Sequence, residues 1–155
     1  MISDRDSCII LNMISGIGYA RFKSMVRHFG SPSAILHASA AEIGEIKGIG
    51  SSLAQSVSSW RENIDLAGEL SLAERSGAKL YTIEDSEYPE ALRQLNDPPL
   101  VLYVRGNLPD FERKCVSIVG SRRLSAYGDR MAKKFASEAV LANWIVVSGL
   151  AFGVD

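Results

Sequence analysis

With 155 residues, the chain is long enough for one ordinary domain or two small ones. Its composition, 46% apolar and 23% charged, is that of a folded soluble protein, and its net charge of −1 excludes a uniformly basic surface. No apolar run approaches the roughly 18 residues of a membrane span, and the N-terminus is not a cationic leader. A cytoplasmic protein is therefore expected. Its two cysteines, Cys8 and Cys115, lie in apolar settings and are expected to be buried free thiols.

The first 60 residues contain a repeated helical pattern. Apolar residues at helical spacing predict a helix over residues 4–14 and a second that ends at Gly30 as a C-cap. The tripeptide Gly-Ile-Gly occurs at residues 16–18 and again at 48–50, each time between two short helices. Residues 1–60 are therefore predicted to form an all-helical tandem helix–hairpin–helix module.

Each predicted hairpin could hold a phosphate. Its glycines, Gly16 and Gly18 in the first and Gly48 and Gly50 in the second, let the backbone turn tightly ahead of a helix. The N-terminus of that helix presents unpaired N–H groups at the positive end of its dipole, and Lys47 adds a charge beside the second hairpin. A protein-docking module, in which the glycines only make tight turns, remains the alternative.

The middle of the chain is predicted to change from helix to strand. Residues 61–78 read as one linker helix, followed by a strand over residues 79–83 and another over residues 100–106. The acidic residues between these strands are interpreted as a polar loop and helix start rather than a metal site. They are Glu84, Asp85, Glu87 and Glu90.

The last third of the chain predicts a βαβ crossover. An apolar strand at residues 114–119, a helix from Ser125 to Asn143 and a strand at residues 144–147 follow one another, and a glycine turn follows each strand. Ligands bind at the carboxyl ends of parallel strands, so both turns are candidates for one anion site. Residues 105–134 hold eight Lys or Arg against three Asp or Glu, net +5, which favours an anionic ligand. The candidate binding residues are Gly120, Ser121, Arg122, Arg123, Ser148, Gly149 and Gly153.

Individual roles at these turns follow from side-chain chemistry. Ser121 could donate a hydroxyl or cap the helix, and the planar guanidinium of Arg122 suits phosphate oxygens. Phe152 could stack on a base, although packing beneath the turn is favoured. Asp155 is expected to cap a following helix. A four-residue stripe along the crossover helix is predicted to be core: Tyr127, Met131, Phe135 and Ala139.

Four motifs occur in order along the chain: Asp85 with Tyr88-Pro89 and Leu92, Pro98-Pro99 with Leu102-Tyr103 and Arg105-Gly106, residues 119–122, and residues 148–155. Behind a helical N-terminal module, this order resembles the DNA-processing protein A (DprA/Smf) family. The resemblance implies an α/β chain in which a SAM-like helical module precedes a Rossmann-like parallel-sheet domain that begins at residue 79. Members resembling this chain continue for well over a hundred residues past Gly-Val-Asp, so residues 79–155 are expected to be the first part of that domain.

The resemblance also implies a function. The family is implied to bind single-stranded DNA, to dimerise, and to load RecA recombinase during natural transformation. By the same resemblance, Arg122 is the principal phosphate-binding residue.

Nothing in the sequence indicates catalysis, a cofactor or a metal. His28 and His37 have no obvious acid or nucleophile partner, and residues 120–125 lack the Gly-x-Gly-x-x-Gly fingerprint of dinucleotide binding. The competing hypothesis is an enzyme on the same scaffold, a nucleotide-binding protein that hydrolyses nucleoside monophosphates. Such an enzyme would need a carboxylate from a later motif.

Overall fold

A computed structural model describes residues 2–155, which divide into two compact units. The first unit runs to Asn107 and the second from Leu108 to Asp155. This boundary differs from the domain boundary predicted at residues 78/79, because the first two strands pack with the helices that precede them.

The helical module of the first unit follows the predicted pattern. Serine side chains cap three of its helices: Ser3 accepts from the amide of Asp6, Ser31 from Ala34, and Ser39 forms a reciprocal capping box with Glu42. Gly30 ends the second helix in the left-handed conformation, with φ 91°. The helices are α1 (Asp4–Met13), α2 (Tyr19–Phe29), α3 (Pro32–Ile35), α4 (Ala40–Gly44) and α5 (Ser51–Ser58).

The single linker helix predicted over residues 61–78 is two helices, α6 (Trp60–Asn63) and α7 (Leu66–Arg75). The chain is extended at Ile64, and the Asp65 carboxylate then caps α7 by accepting from the amide of Gly68 at 2.9 Å. Apolar spacing continues through this break, which explains why the pattern read as one helix. Because α7 packs against α1 and the following strand, it is part of the first unit's core.

Two strands complete the first unit. β1 (Ala78–Thr82) pairs antiparallel with β2 (Val101–Arg105), with Leu80 opposite Tyr103. Helix α8 (Glu90–Arg93) lies in the connection between them. The prediction that residues 79–155 form a parallel sheet is therefore wrong for β1 and β2.

The connection between β1 and β2 is fastened by two arginines and a tyrosine. The Arg93 guanidinium donates to the carbonyl oxygens of Ile83 and Asp85 and lies 5.2 Å from the centre of the Tyr88 ring. Tyr88 donates to the Pro99 carbonyl at 2.7 Å, and burial raises its pKa. From α1, Arg5 donates to the Leu80 carbonyl and pairs with the Asp85 carboxylate at 3.3 Å. The motif around Asp85 and Tyr88 thus joins the strands to the helical module.

The second unit contains the predicted βαβ crossover. β3 (Cys115–Ser117) pairs parallel with β4 (Ile145–Val147), and α9 (Ala126–Leu141) connects them. Arg113 holds the end of the crossover, donating to the carbonyl of Asn143, whose φ is 63°. The Rossmann-like continuation of this sheet stays a prediction.

The second unit exposes most of its apolar side chains. Tyr127 and Phe135, predicted as core, are 66% and 60% exposed. The predictions that Cys115 is a buried thiol and that Phe152 packs beneath the turn are also wrong, because both side chains are exposed. The periodicity correctly marked an apolar face of α9, but β3 and β4 cover little of it. By contrast, Cys8 is buried as predicted, and burial raises the pKa of its thiol. Every buried apolar residue in the described chain lies between Cys8 and Val101.

Within residues 2–155, no helix combines the length and the apolar character that crossing a membrane requires.

Candidate functional site

The first glycine turn joins β3 to α9. Sequence reasoning allowed Ser121 as the helix cap, but the cap is Ser125, whose hydroxyl accepts from the amide of Gly128 at 3.0 Å. Ser121 instead accepts from the amide of Arg123 at 3.1 Å, which folds the turn on itself. Arg122 therefore lies several residues before the helix, in a turn that also carries the positive charge of Arg123.

The second glycine turn, which follows β4, meets the first at the backbone. The amide of Val154 donates to the Ser121 carbonyl at 3.3 Å. Gly153 has φ +113°, and a Cβ atom placed on it would lie 2.7 Å from the Cα atom of Arg122. A Cβ atom on Gly120 would lie 2.6 Å from the Val154 side chain. The two turns can approach this closely only because both positions lack a side chain.

Asp155 fastens the two turns together, a role that sequence reasoning missed. Its carboxylate accepts from the amide of Gly120 at 3.2 Å, and its carbonyl accepts from the Ser148 hydroxyl at 3.2 Å. A Cβ atom on Gly149 would lie 2.8 Å from that carboxylate. The Gly120 amide and the Ser148 hydroxyl, both predicted to hold phosphate, are engaged within the protein. No pattern within the chain indicated this contact, because it joins residues 35 positions apart.

Two of the predicted side chains remain available for an anion. Arg122 and Arg123 are exposed, and neither forms a salt bridge with another of residues 2–155. Arg122 lines an open cavity of about 490 Å³ together with Leu150, Ala151 and Phe152. Lys133, on α9, pairs with Asp129 at 2.9 Å. The structure thus brings all seven predicted turn residues together and leaves the two arginines free to bind.

The two hairpins of the helical module have the same local geometry. Gly16 and Gly48 both have φ +90°, and Gly18 and Gly50 are the extended N-caps of α2 and α5. Neither cap makes a side-chain hydrogen bond, so the first amides of both helices have no serine or aspartate partner. Ile17 and its counterpart in the second hairpin are buried. The predicted internal repeat is therefore present in the structure.

The charges beside the hairpins differ. Lys47 is exposed next to the second hairpin, as predicted. At the first hairpin, the Arg21 guanidinium donates to the Gly16 carbonyl, a contact that sequence reasoning missed. Its signal was available, since Arg21 is the third residue of α2 and a side chain in the first helical turn points back over the preceding loop. Lys23 lies 5.6 Å from the centre of the Tyr19 ring on the same helix.

Acidic residues and histidines form no further candidate site. Among residues 2–155, no group of three His, Cys, Asp or Glu side chains is placed to hold a metal ion. Asp85 accepts from the amide of Thr82 and from Arg5, so its carboxylate has a structural role. The His37 ring lies 2.8 Å from the carbonyl oxygen of Ser33, four residues earlier in the chain.

Comparison with known proteins matches each of the two parts of the chain to a protein family. Residues 79–155 match the profile of the DNA recombination-mediator protein A family, and residues 9–58 match that of the SAM-like helix-hairpin-helix tandem. The chain belongs to the DprA/Smf family. The profile matches therefore confirm the family and the helix–hairpin–helix assignment.

Three relatives illustrate the similarity. Protein Smf of Synechocystis sp. is 28% identical over 148 residues, 93% of this chain and 37% of the relative. DNA processing protein DprA of Bacillus subtilis is 34% identical over 80 residues, 51% of this chain and 27% of the relative. UvrABC system protein C of Acetivibrio thermocellus is 45% identical over 53 residues, 34% of this chain and 8% of the relative. The chain thus spans about a third of the length of its DprA/Smf relatives.

Proposed function

We propose that the chain binds single-stranded DNA by its phosphate backbone at the two glycine turns of the second unit. The observation that carries this proposal is the position of Arg122. Its guanidinium is exposed and unpaired among residues 2–155, at the point where the backbones of the two turns meet. A planar guanidinium in that setting suits the bidentate recognition of phosphate oxygens.

Some of the turn residues would supply positive charge, and the others would set the backbone geometry of the site. Arg122 and Arg123 would supply the positive charge, and the Ser121 hydroxyl would help to fix the turn that carries them. The glycines at positions 120, 149 and 153 would allow the close approach of the two turns, with Asp155 and Ser148 as the fastening. Binding of this kind is tolerant of sequence and weakens with salt.

At the level of the whole protein, we extend the proposal from the family. Relatives are named DNA processing proteins, and we propose that this chain serves DNA processing in recombination and natural transformation without catalysing a reaction. Its βαβ unit would belong to a Rossmann-like domain. RecA recombinase and a second copy of the protein are the partners implied by the resemblance, in the cytoplasm.

The helical module would supply a second anion contact, favoured by one specific observation. Both hairpins present a helix N-terminus capped only by glycine, and a basic side chain lies next to each loop, Arg21 at the first and Lys47 at the second. Helix N-termini of this kind bind phosphate through backbone amides.

Fluorescence anisotropy with a labelled oligo-dT strand tests the proposal. We expect Arg122→Ala to weaken binding roughly 10- to 100-fold, as for the removal of a charge-assisted hydrogen bond. The slope of log K against log salt should fall by about 0.7 for each phosphate that the variant no longer neutralises. Arg130→Ala is the matched control, because Arg130 is exposed on α9 and does not line the cavity around Arg122.

Two results would contradict the proposal. If Arg122→Ala binds the strand with unchanged affinity and salt slope, the phosphate site is not at these turns. If incubation with nucleoside monophosphates releases free bases, and Arg122→Ala abolishes that release, the competing hydrolase hypothesis is correct.

A further inference from the structure

The second glycine turn holds an aromatic ring almost entirely in solvent. Phe152 is 92% exposed, although sequence reasoning favoured packing beneath the turn. Burying a phenylalanine side chain stabilises a protein by about 1.5–3 kcal/mol, so an exposed ring forgoes that stabilisation. Leu150, two residues earlier, is 96% exposed and has φ 54°, a conformation that is costly for a residue with a side chain. The turn thus presents its apolar side chains outward.

The exposed ring lies at the same opening as the candidate phosphate-binding residue. Arg122, Leu150, Ala151 and Phe152 together line the cavity of about 490 Å³. The backbone explains this proximity, because Gly153, which follows the ring, packs against the Cα atom of Arg122. Within the part of the chain that the structure describes, no acidic side chain lines this cavity. A cationic guanidinium and a flat apolar face therefore border one space of the size that small-ligand sites have.

The turn that carries the ring is fastened on both sides. Before the ring, the Ser148 hydroxyl donates to the Asp155 carbonyl; after it, the Val154 amide donates to the Ser121 carbonyl. The first bond closes the second turn on itself, and the second joins that turn to the backbone that carries Arg122. The backbones that carry the ring and the guanidinium are therefore held close together, which lowers the entropy lost when a ligand bridges the two side chains.

We propose that Phe152 is a stacking platform for one unpaired nucleobase whose neighbouring phosphate is held by Arg122. This inference rests on the proposed function and deepens it, since it names a strand with exposed bases as the ligand. Every nucleobase has a π-face, so stacking is tolerant of sequence, and a paired base in a duplex is not free to stack in this way. An anionic backbone with flat apolar bases matches both the charge and the shape of the cavity.

A comparison of two strands with equal phosphates tests the platform directly. The probes are a labelled oligo-dT and an abasic strand of the same length, in which tetrahydrofuran units replace the nucleosides. One stacked base should make the unmodified protein prefer oligo-dT by roughly 5- to 150-fold. Phe152→Ala should reduce this preference to about one, with an unchanged salt slope because the phosphates are still neutralised.

Matched variants separate stacking from apolar contact and from folding. Phe152→Trp should keep or raise the preference, whereas Phe152→Leu, which keeps apolar volume but has no π-face, should lose most of it. Leu141→Ala removes an exposed apolar side chain of α9 that does not line this cavity, and it should leave the preference unchanged. In the Phe152→Trp variant, oligo-dT should quench the new tryptophan fluorescence and the abasic strand should not.

The outcomes distinguish failure of this inference from failure of the proposed function. Equal binding of both strands by the unmodified protein, or an unchanged preference in Phe152→Ala, overturns the platform. In either case Arg122→Ala should still weaken both strands, and the proposed phosphate site then stands. If neither strand binds, measured by NMR titration up to millimolar protein, both are overturned.

Discussion

A Cβ atom on Gly153 would lie 2.7 Å from the Cα atom of Arg122, and the carbonyl oxygen of Ser121 would be closer still. No real side-chain atom fits in that space, so any residue other than glycine must push the two turns apart. The φ of +113° at Gly153 adds a second, independent requirement for glycine. The site therefore depends on close backbone contact between the two glycine turns that follow β3 and β4.

Gly153→Ala should consequently damage the site. We expect a loss of about 1–3 kcal/mol in the free energy of unfolding of the second unit, from backbone strain and steric overlap. Affinity for oligo-dT should fall at least as far as in Arg122→Ala, since Arg122 would be displaced. Thermal unfolding and anisotropy measure the two effects.

Gly44→Ala is the control for this substitution. Gly44 lies in α4 at an ordinary φ, and an added Cβ atom would lie 4.0 Å from the Ala54 side chain, which is normal contact. It should leave DNA binding unchanged. A Gly153→Ala protein that binds and unfolds like the unmodified chain would contradict the packing of the two turns.

The parts of the fold that are set by local backbone rules could be predicted from the sequence. The two Gly-Ile-Gly tripeptides indicated the hairpins, because a left-handed glycine followed by an extended N-cap is a local requirement. The crossover from β3 to β4 was likewise marked by two apolar strands around one helix. Arg122 could be proposed because it lies in the glycine turn that follows β3, and its binding role stays a prediction.

The parts that depend on distant partners could not be predicted. The stripe containing Tyr127 and Phe135 is periodic, but periodicity shows that a face is apolar and not what covers it. The Asp155 carboxylate joins the Gly120 amide across 35 positions, and no local pattern indicates that bond. The antiparallel pairing of β1 with β2 was missed for a related reason, since both directions of pairing fit the same apolar runs.

Arg93 should be a principal stabilising residue of the first unit. Its guanidinium donates to the carbonyls of Ile83 and Asp85, and its side chain is 32% exposed. We expect Arg93→Ala to lower the free energy of unfolding by about 1.5–3 kcal/mol, because partly buried carbonyls lose a charged donor. Arg93→Lys should restore little of this free energy, since an ammonium group cannot donate to both carbonyls as the planar guanidinium does.

Urea unfolding followed by circular dichroism measures this effect. Arg75→Ala, an exposed substitution in the last turn of α7, is the control and should change stability by less than about 0.5 kcal/mol. Equal stabilities of the Arg93 and Arg75 variants would show that the hydrogen bonds from Arg93 to the connection around Asp85 contribute nothing. At temperatures where Arg93→Ala is folded, its affinity for oligo-dT should be unchanged.

The second hairpin should contribute to DNA binding through Lys47. Lys47→Glu reverses the charge next to the N-terminus of α5, and we expect roughly a 3- to 10-fold loss of affinity at low salt, shrinking as salt rises. Lys79→Glu makes the same charge change at an exposed position in β1, which belongs to neither hairpin, and is the control. Equal losses in the two variants would assign the effect to net charge rather than to the hairpin.

Asp4 should make the stability of the first unit depend on pH. Its carboxylate accepts from the amide of Ser33 at 2.9 Å, and hydrogen bonds from Ser33 hold its pKa below the ordinary value of 3.8. A carboxyl whose pKa is lowered by folding stabilises the native state above its unfolded pKa, and this stabilisation is lost as pH falls through the folded pKa. Asp4→Asn should therefore cost a few tenths to about 1 kcal/mol at pH 7, discounted because the group is exposed, and progressively less as pH falls below 3.8. Asp6→Asn, in the same helical turn but without the Ser33 contact, should show a smaller difference.

Urea unfolding at pH 7, 4 and 2 measures these differences, and an Asp4→Asn effect that stays constant over that range would show that the Asp4 pKa is not lowered by folding.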